Sequence, residues 1–219
     1  SIGPNNASVD WFRISVHGKS AHVSTPHLGV DALYIASQIV VAIQALITRR
    51  TNPLESILIG IGRLDAGTAY NVVAEEAAME GTIRVFSPEL RKATKERIEL
   101  VASSIAAMYG GTVSIEWKDF TSPLINDEES TLEVRKVLTS VFGKDSVVES
   151  RTPSLGGDDF AEYILKVPGC YAFVGSRNPE VPETGVAHHN SHFDVDDGAL
   201  SVMVNLMSSY AIEFLNGEV

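Results

Sequence analysis

Residues 10–17 read DWFRISVH and residues 29–50 read GVDALYIASQIVVAIQALITRR, and the spacing of the apolar residues changes between these two stretches. In the first stretch apolar and polar side chains alternate, which is typical of a half-buried strand. In the second they recur every three or four positions, which predicts a long amphipathic helix. Asn52-Pro53 should end this helix, because proline cannot continue it. The two stretches therefore predict a strand and a helix that bury their apolar faces together.

Four further elements extend this pattern to about residue 118. Three stretches alternate as strands do, at residues 57–61, 79–85 and 113–117. A second helix is predicted from Ser87-Pro88-Glu89, a typical helix start, to Gly110-Gly111, which ends it. The order strand, helix, strand, strand, helix, strand predicts an α+β ferredoxin-like (βαββαβ) domain. Such a domain has one antiparallel sheet with both helices on one face, and an edge strand with which a second copy could pair.

The pattern changes after Trp117, and we place a domain boundary there, between residues 1–120 and residues 121–219. The second part predicts three helices and two short strands, at residues 130–142, 158–165, 196–214, 147–148 and 169–175. These two strands do not obviously suffice for a sheet of their own. The second part therefore looks like a portion of a domain that needs further strands.

Composition and charge exclude several classes of protein. With 219 residues, 44% of them hydrophobic and 21% charged, the chain can form one large domain or two ordinary ones. Its net charge of −11 argues against a general nucleic-acid or anionic-membrane binder, because phosphates repel an acidic surface. Cys170 is the single cysteine, so no internal disulfide can form. No signal peptide is visible and no apolar run approaches the roughly 20 residues of a membrane span. We therefore expect a cytoplasmic protein that binds neither nucleic acid nor membrane.

Potential metal ligands are most concentrated in the loop at residues 177–194 and at the start of the helix that follows it. Three histidines and three aspartates lie close together there: His188, His189, His192, Asp194, Asp196 and Asp197. Imidazoles and carboxylates are common ligands of divalent metals. A solvated polar loop before an Asp-capped helix would contain the same residues, so both interpretations stay open from the residues alone.

Three more polar residues could act on a substrate. His22 follows the first strand and could carry a proton or donate to an oxyanion, and Arg84 could bind a carboxylate. Asn71 is the third, and each of the three also has a structural explanation. His22 could be an ordinary surface histidine, Arg84 a strand residue paired with Glu80, and Asn71 a residue that forms a turn. Cys170 lies in an apolar stretch, and we interpret it as a buried, inert thiol.

Several separate stretches together resemble one family. Gly18-Lys19-Ser20-Ala21-His22, followed by Pro26 and Asp31-Ala32, resembles the start of the dimerisation (lid) domain of the aminoacylase and carboxypeptidase metallohydrolases, a metallopeptidase family. The similarity continues with AGTAYNVV at residues 66–73 and EGTIR at residues 80–84. GDDFA at residues 157–161 and HHN at residues 188–190 resemble motifs from the C-terminal part of the family's catalytic domain. The most similar branch contains hippurate hydrolases, N-acyl-L-amino acid amidohydrolases and indole-acetyl-amino acid hydrolases.

The resemblance implies a dimerisation (lid) domain at residues 1–120 and, at residues 121–219, the C-terminal part of an incomplete α/β zinc-peptidase-like catalytic domain. It implies metal-dependent hydrolysis of the amide bond of N-acyl amino acids or small peptides, with two divalent metals, Zn or Mn, in each site. By the same resemblance His189 is a metal ligand, and Asn71 and Arg84 hold the carboxylate of the substrate. His22 is then the catalytic residue that stabilises the oxyanion in the partner's site, which implies a homodimer formed through the lid domain.

The chain also departs from the family pattern. Ala74, Gly157-Asp158 and Ser191 stand where the family usually has proline, Ser-Glu and proline. The His-x-Cys-Gly-His-Asp ligand motif and the Glu-Glu pair of the family's first catalytic half do not occur in this sequence. We therefore expect a fragment that is inactive alone and in which the metals are absent or weakly bound. The alternative is a non-enzymatic dimerisation or small-molecule-binding regulatory module, which the missing ligands favour.

Overall fold

In the computed structural model, which describes residues 1–217 and 219, the chain divides into two compact units. The sheet unit contains residues 4–125 and 153–162, and the helical unit contains residues 1–3, 126–152 and 163–219. Residues 153–162 join the sheet unit through backbone hydrogen bonds such as that from Ala7 N to Ser154 O, at 3.0 Å. The division of the chain into two domains near residue 120 stays a prediction.

The secondary structure alternates in the first half of the chain and is mainly helical in the second. The strands are β1 (Gly3–Asn6), β2 (Val9–His17), β3 (Ala21–His22), β4 (Ile57–Ala66), β5 (Val72–Val73), β6 (Glu76–Val85), β7 (Thr112–Thr121) and β8 (Leu124–Asn126). The α-helices are α1 (Ala32–Arg50), α2 (Pro88–Met108), α3 (Glu128–Phe142), α4 (Phe160–Ile164) and α5 (Gly198–Asn216). Short 3₁₀ helices lie at Pro26–Leu28, Lys144–Ser146 and Pro182–Gly185.

Four strands of the sheet unit form one antiparallel sheet in the order β4-β6-β2-β7. The register places Ile14 of β2 between Met79 of β6 and Ile115 of β7. Along the chain these elements run β2, α1, β4, β6, α2, β7, which is the predicted order of strands and helices, and the four strands form an antiparallel sheet. The short strands β3 and β5 pair with each other in a separate sheet, and so do β1 and β8.

The core of the sheet unit lies between one face of this sheet and the helices α1 and α2. Buried and half-exposed residues alternate along β2, and Phe12, Ile14 and Val16 on its inner face are fully buried. They share one hydrophobic cluster with residues of both helices, among them Ile39 of α1 and Ile98 of α2. Each such side chain contributes about 1.5–3 kcal/mol when it leaves water. Both helices therefore cover the same face of the sheet, as predicted.

The two covering helices begin at side-chain caps. The Asp31 carboxylate accepts hydrogen bonds from the backbone N–H groups of Leu33 and Tyr34, at 3.0 and 3.2 Å. Ser87 Oγ accepts one from Leu90 N at 3.1 Å, and Pro88 takes the first helical position. A cap of this kind contributes about 1 kcal/mol to stability. The start of α2 at Ser87-Pro88 is thus confirmed.

A buried carboxylate is neutralised between β2 and α2. Asp10 is fully buried, and Arg91 donates to both of its carboxylate oxygens over 2.8 to 3.1 Å. Lys95 Nζ lies 2.8 Å from Asp10 Oδ1, and both cations also pair with Asp119 of β7. Partial burial alone would raise the pKa of Asp119, but the hydrogen bond and charge of Lys95 and the charge of Arg91 lower that pKa below its ordinary value. A buried charge costs several kcal/mol unless it is paired, so this cluster fixes α2 to the sheet.

The helical unit is held mainly by α3 and α5. Tyr210 of α5 donates its hydroxyl to Glu133 of α3 at 2.9 Å, and burial together with this contact raises the pKa of Tyr210 to about 12. The predicted strands at residues 147–148 and 169–175 are wrong, because the structure forms no strand at either place. A strand needs a partner with which to exchange hydrogen bonds, and here the Asn126 side chain bonds the backbone of Tyr171 instead, at 2.8 and 3.0 Å.

By length and composition alone, α1 and α5 could each cross a membrane, contrary to the expectation that no segment approaches this length. The core helix of a soluble protein meets the same criterion, and α1 buries its apolar stripe in the core. On α5 several large apolar side chains are exposed: Leu200, Met203, Val204, Met207, Ile212, Phe214 and Leu215. The composition of the two helices does not establish a membrane span, and the absence of membrane binding stays a prediction.

Replacing Arg91 by methionine keeps an unbranched apolar stem but removes the guanidinium group that pairs with the buried Asp10. We expect the free energy of unfolding to fall by about 3 kcal/mol. This is the low end of the range for a buried ion pair that loses one partner, because Lys95 remains beside Asp10. Urea unfolding measures this loss. Lys92→Met is the matched control, since Lys92 on the same helix is exposed and pairs with Glu96 at 4.0 Å. It should cost less than about 0.5 kcal/mol, and equal losses in both variants would contradict the role of the cluster.

Asp119 should stabilise the fold in a pH-dependent way. Its pKa is lower in the folded chain than in the unfolded chain. The stabilisation from Asp119 is therefore complete above its pKa in the unfolded chain, about 3.9. It is lost as the pH falls through the lower pKa of the folded chain. The difference in unfolding free energy between the wild type and Asp119→Asn should stay constant near neutral pH and shrink below about pH 4. A difference that grows on acidification would show that the pKa shift has the opposite sign.

Candidate functional site

Two of the predicted site residues lie side by side on a two-stranded part of the sheet unit that we call the arm (residues 18–31 and 66–75). Ala21 and His22 of β3 pair with Val73 and Val72 of β5. The residue after His22 donates its backbone N–H to the carbonyl of Asn71 at 3.1 Å. Both His22 and Asn71 are exposed. The arm thus brings together two polar residues that are far apart in the sequence.

The hydrogen bonds of His22 determine which of its ring nitrogens carries the proton. The backbone N–H of Ser24 lies 3.1 Å from Nδ1 and can only donate, so Nδ1 must accept. Ser24 Oγ lies 2.7 Å from the same nitrogen and can donate a second hydrogen bond to it. In the neutral ring the proton is therefore on Nε2. An exposed Nε2–H can donate to a developing negative charge, which is the property that oxyanion stabilisation needs.

Close backbone packing holds the first segment of the arm together. A Cβ at Gly18 would lie 2.2 Å from the carbonyl oxygen of Val30, so only glycine fits there. Lys19 and Val30 exchange two backbone hydrogen bonds of 2.9 Å across this point. In the second segment Gly67 makes the turn with a φ of +72°. The two glycines therefore allow the arm to fold back on itself and place His22 beside Asn71.

A pocket of about 600 Å³ adjoins the arm. It is lined by Val23, Pro26, Asp31, Leu33, residues 66–70 and residues 72–74. The Asp31 carboxylate is engaged in capping α1, so the lining consists mainly of small or apolar side chains and backbone groups. Tyr70 is 98% exposed at the edge of this pocket, next to Asn71. The pocket can accommodate a small, largely apolar group beside the polar residues of the arm.

Arg84 lies on β6, outside the arm. Its Nε donates to Thr82 Oγ1 at 3.2 Å and its Nη1 donates to the carbonyl of Leu155 at 3.1 Å. These two contacts fix the guanidinium group and leave the donors of Nη2 for a ligand such as a carboxylate. The alternative that Arg84 pairs with Glu80 is not what the structure shows, because Glu80 pairs with Arg13 at 3.3 Å and with Arg63 at 3.7 Å.

His189 lies in the helical unit, in a turn before α5. Its φ of +64° is unusual for a residue other than glycine, and such backbone strain is often found at functional sites. The turn is supported by its neighbours, since the Asn190 side chain accepts from His192 N at 2.9 Å. The ring of His188 meets that of Phe193 edge to face, with centroids 4.8 Å apart. His189 itself is exposed.

The described residues do not by themselves form a metal site. Within residues 1–217 and 219, no group of three or more His, Cys, Asp or Glu side chains is arranged to hold a metal ion. The three histidines and three aspartates of residues 188–197 are therefore close in sequence without converging in space. His189 alone can supply one ligand, which does not fit a site for two metals, so we derive no reaction step through a metal.

Cys170 lies in the helical unit and is partly buried. Burial raises the pKa of its thiol, against smaller opposing effects of a hydrogen bond to Thr131 and of nearby positive charges. Asn126 Nδ2 lies 3.6 Å from Sγ. A thiol with a raised pKa is a poor nucleophile at neutral pH, which supports the interpretation of Cys170 as an inert thiol.

The sequence reasoning missed the residues that orient these groups. Ser24 determines the tautomer of His22, and Thr82 fixes the guanidinium of Arg84. A search for polar residues two positions from Arg84 would have found Thr82, whereas Ser24 acts on His22 through its backbone N–H, a donor that every residue except proline supplies. His17 and Glu76, which pair at 2.9 Å where the arm begins, were also missed, because they meet only through the register of β2 and β6.

Comparisons with known proteins assign a family to this chain. Residues 6–109 match the family model described as the M20 peptidase dimerisation domain. Over 215 residues the chain is 36% identical to thermostable carboxypeptidase 2 of Saccharolobus solfataricus, covering 98% of this chain and 53% of that protein. It is 34% identical over 198 residues to N-acetyl-L-cysteine deacetylase of Bacillus subtilis, covering 90% of this chain and 45% of that protein.

A solved structure shares the fold along almost the whole chain. It is that of a Bacillus subtilis protein described as a dinuclear metal-binding peptidase of the M20 family. The TM-score is 0.74 at 28% identity, and the match covers 99% of this chain and 52% of the other. The chain thus spans about half the length of the curated relatives that it matches.

Proposed function

Because the chain belongs to the M20 peptidase family and has its dimerisation domain at residues 6–109, we propose that it works as part of a metal-dependent amidohydrolase. The sheet unit is then the ferredoxin-like lid, and the helical unit is the C-terminal part of an α/β zinc-peptidase-like catalytic domain. The substrates are N-acyl amino acids or small peptides. Support comes from the relatives, which include a carboxypeptidase and a deacetylase.

The observation that carries the proposal is the hydrogen bonding of His22. Ser24 N–H donates to Nδ1, so Nε2–H is exposed and can donate to the oxygen on which negative charge develops during amide cleavage. A single donor of this kind accounts for about 10²–10³-fold in kcat in other amide-cleaving enzymes. We assign His22 this role in the active site of the partner subunit.

The other site residues bind the substrate and the metal in this proposal. Asn71 beside His22, and Arg84 with its remaining donors, hold the carboxylate of the substrate. His189 supplies one metal ligand. Two divalent cations, zinc or manganese, would supply an activated water when bound, and their other ligands would come from the part of the relatives' length that this chain does not span. A cytoplasmic location is part of the same proposal.

We also propose that two copies pair along β4 and α1 to form a homodimer. Residues 32–48 of α1 contain no charged side chain, although Tyr34 and Val41 are 45% and 70% exposed. The edge strand β4 carries no charge from Ile57 to Gly62, whereas the opposite edge, β7, carries Glu116, Lys118 and Asp119. Charged side chains protect an edge strand from pairing. The uncharged edge and the uncharged helix face therefore suit a second copy of the chain.

Activity measurements on a polypeptide that joins this chain to the catalytic half found in its relatives test the proposal. His22→Ala should lower kcat for an N-acetyl amino acid by about 10²–10³-fold, because one oxyanion donor is lost. His189→Ala should instead lower the amount of bound metal, measured by elemental analysis. The 219-residue chain alone should not hydrolyse the substrate when Mn²⁺ or Zn²⁺ is added.

Two neighbouring histidines serve as matched controls for these variants. His27→Ala changes another exposed histidine of the arm and should leave kcat within about 2-fold of the wild type, since Nε2 of His22 is untouched. His188→Ala should retain the metal. Unchanged kcat in His22→Ala, or robust turnover by the chain alone, would contradict the proposal. A joined polypeptide that binds small molecules but hydrolyses none would favour the regulatory module.

Sedimentation velocity tests the dimer. Val41→Glu places a charge on the uncharged face of α1 and should convert dimer to monomer, because a buried unpaired carboxylate costs several kcal/mol. Leu100→Glu is the matched control, since Leu100 is an equally exposed apolar residue (68%) on α2. It should leave the dimer intact. Dissociation by Leu100→Glu and not by Val41→Glu would contradict the proposed interface.

A further inference from the structure

We propose that His17, Glu76 and Ser114 form a brace that holds the arm in the position at which His22 and Asn71 act. The three residues are positioning residues, and none of them is assigned a contact with substrate. Their effect on catalysis rests on the proposed function of the arm. The brace itself is a property of the folded chain, so it can be measured without any enzymatic activity.

The brace spans three neighbouring strands. Nδ1 of His17 lies 2.9 and 3.1 Å from the two carboxylate oxygens of Glu76, and Nε2 lies 3.2 Å from Ser114 Oγ. One tautomer satisfies both contacts, since Nδ1–H donates to Glu76 and Nε2 accepts from the Ser114 hydroxyl. β2 lies between β6 and β7 in the sheet. A ring held at both nitrogens therefore ties all three strands together.

The brace lies where the backbone enters and leaves the arm. His17 is the last residue of β2 and Glu76 is the first residue of β6, and the two are opposite each other in the register. Just beyond them the N–H of Gly18 donates to the carbonyl of Glu75 at 2.7 Å. Fraying of these two strand ends would move both segments of the arm, and with them His22 and Asn71.

The arm has few contacts of its own to hold it in place. β3 and β5 contribute only two residues each, and Val73 and Ala74 are the buried residues among 18–31 and 66–75. Segments with little buried apolar surface open at a small cost in free energy. The contact of His17 with Glu76 at the base of the arm is therefore a large part of what holds the arm in position. The same contact adds little to the free energy of unfolding of the whole chain.

An ion pair on two of the same strands provides a matched comparison. Arg13 and Glu80 join β2 and β6 at 3.3 Å and lie opposite each other, on the same face as His17 and Glu76. Both pairs are partly exposed, so both contribute little to global stability. They differ in place, since the pair of Arg13 and Glu80 lies towards the middle of the strands and away from the arm.

Hydrogen exchange of the 219-residue chain tests the brace directly. In Glu76→Gln and in His17→Gln, the arm amides of Val23 and Val72 should exchange about 2- to 5-fold faster, the range expected for the loss of one partly exposed side-chain contact. Amides in the middle of β2 should not change. Ser114→Ala should give a smaller increase, because it removes one of the two contacts of the ring. Glu80→Gln breaks the matched pair and should leave the arm amides unchanged.

A swap of the two residues separates positioning from the simple loss of a side chain. The double variant His17→Glu with Glu76→His restores a histidine–glutamate pair across the same two positions. It should return the exchange of the arm amides toward the wild-type rate. Unchanged arm exchange in the single variants, an equal effect of Glu80→Gln, or failure of the swap to rescue would each overturn the brace.

Activity then distinguishes this inference from the proposed function. In the active joined polypeptide, Glu76→Gln should lower kcat/KM for an N-acetyl amino acid by about 2- to 5-fold, and Glu80→Gln should not change it. Full activity in Glu76→Gln would overturn the positioning role. If the joined polypeptide shows no activity at all, the amidohydrolase proposal fails, and the exchange data still decide whether the brace exists.

Discussion

The apolar face of the four-stranded sheet must be covered, and the rest of the sheet unit depends on this constraint. One face of β2 carries the buried side chains of Phe12, Ile14 and Val16. Both α1 and α2 pack on that face. The other face is left to polar pairs, among them His17 with Glu76. The core fixes the strands, and the arm starts from the ends of two of them, where the contact of His17 with Glu76 joins β2 to β6.

Much of this arrangement could be predicted from periodicity. The alternation in residues 10–17, the helical spacing in residues 29–50 and the cap at Ser87 depend on local chemistry, so they could be predicted from the sequence. The predicted strands at residues 147–148 and 169–175 were wrong for the opposite reason. A strand is defined by its partner, and at Tyr171, within the second of these segments, the Asn126 side chain takes the place of a partner strand.

The candidate site was likewise predicted in part. The resemblance to a metallohydrolase family singled out His22 and Asn71, and the structure places them together because β3 pairs with β5. The residues that orient them were not predicted, since Ser24 acts through its backbone N–H and His17 meets Glu76 only through strand register. The histidines and aspartates of residues 188–197 show the limit of reasoning from proximity in sequence. They do not converge on a metal site within the described part of the chain.

The central claim is that the arm presents His22 as a hydrogen-bond donor through Nε2. A long-range ¹H–¹⁵N correlation spectrum of the imidazole rings, recorded where His22 is neutral, measures this property directly. Because Ser24 N–H donates to Nδ1, the account predicts that the Nε2–H tautomer dominates. A spectrum in which the proton of His22 resides on Nδ1 would contradict it.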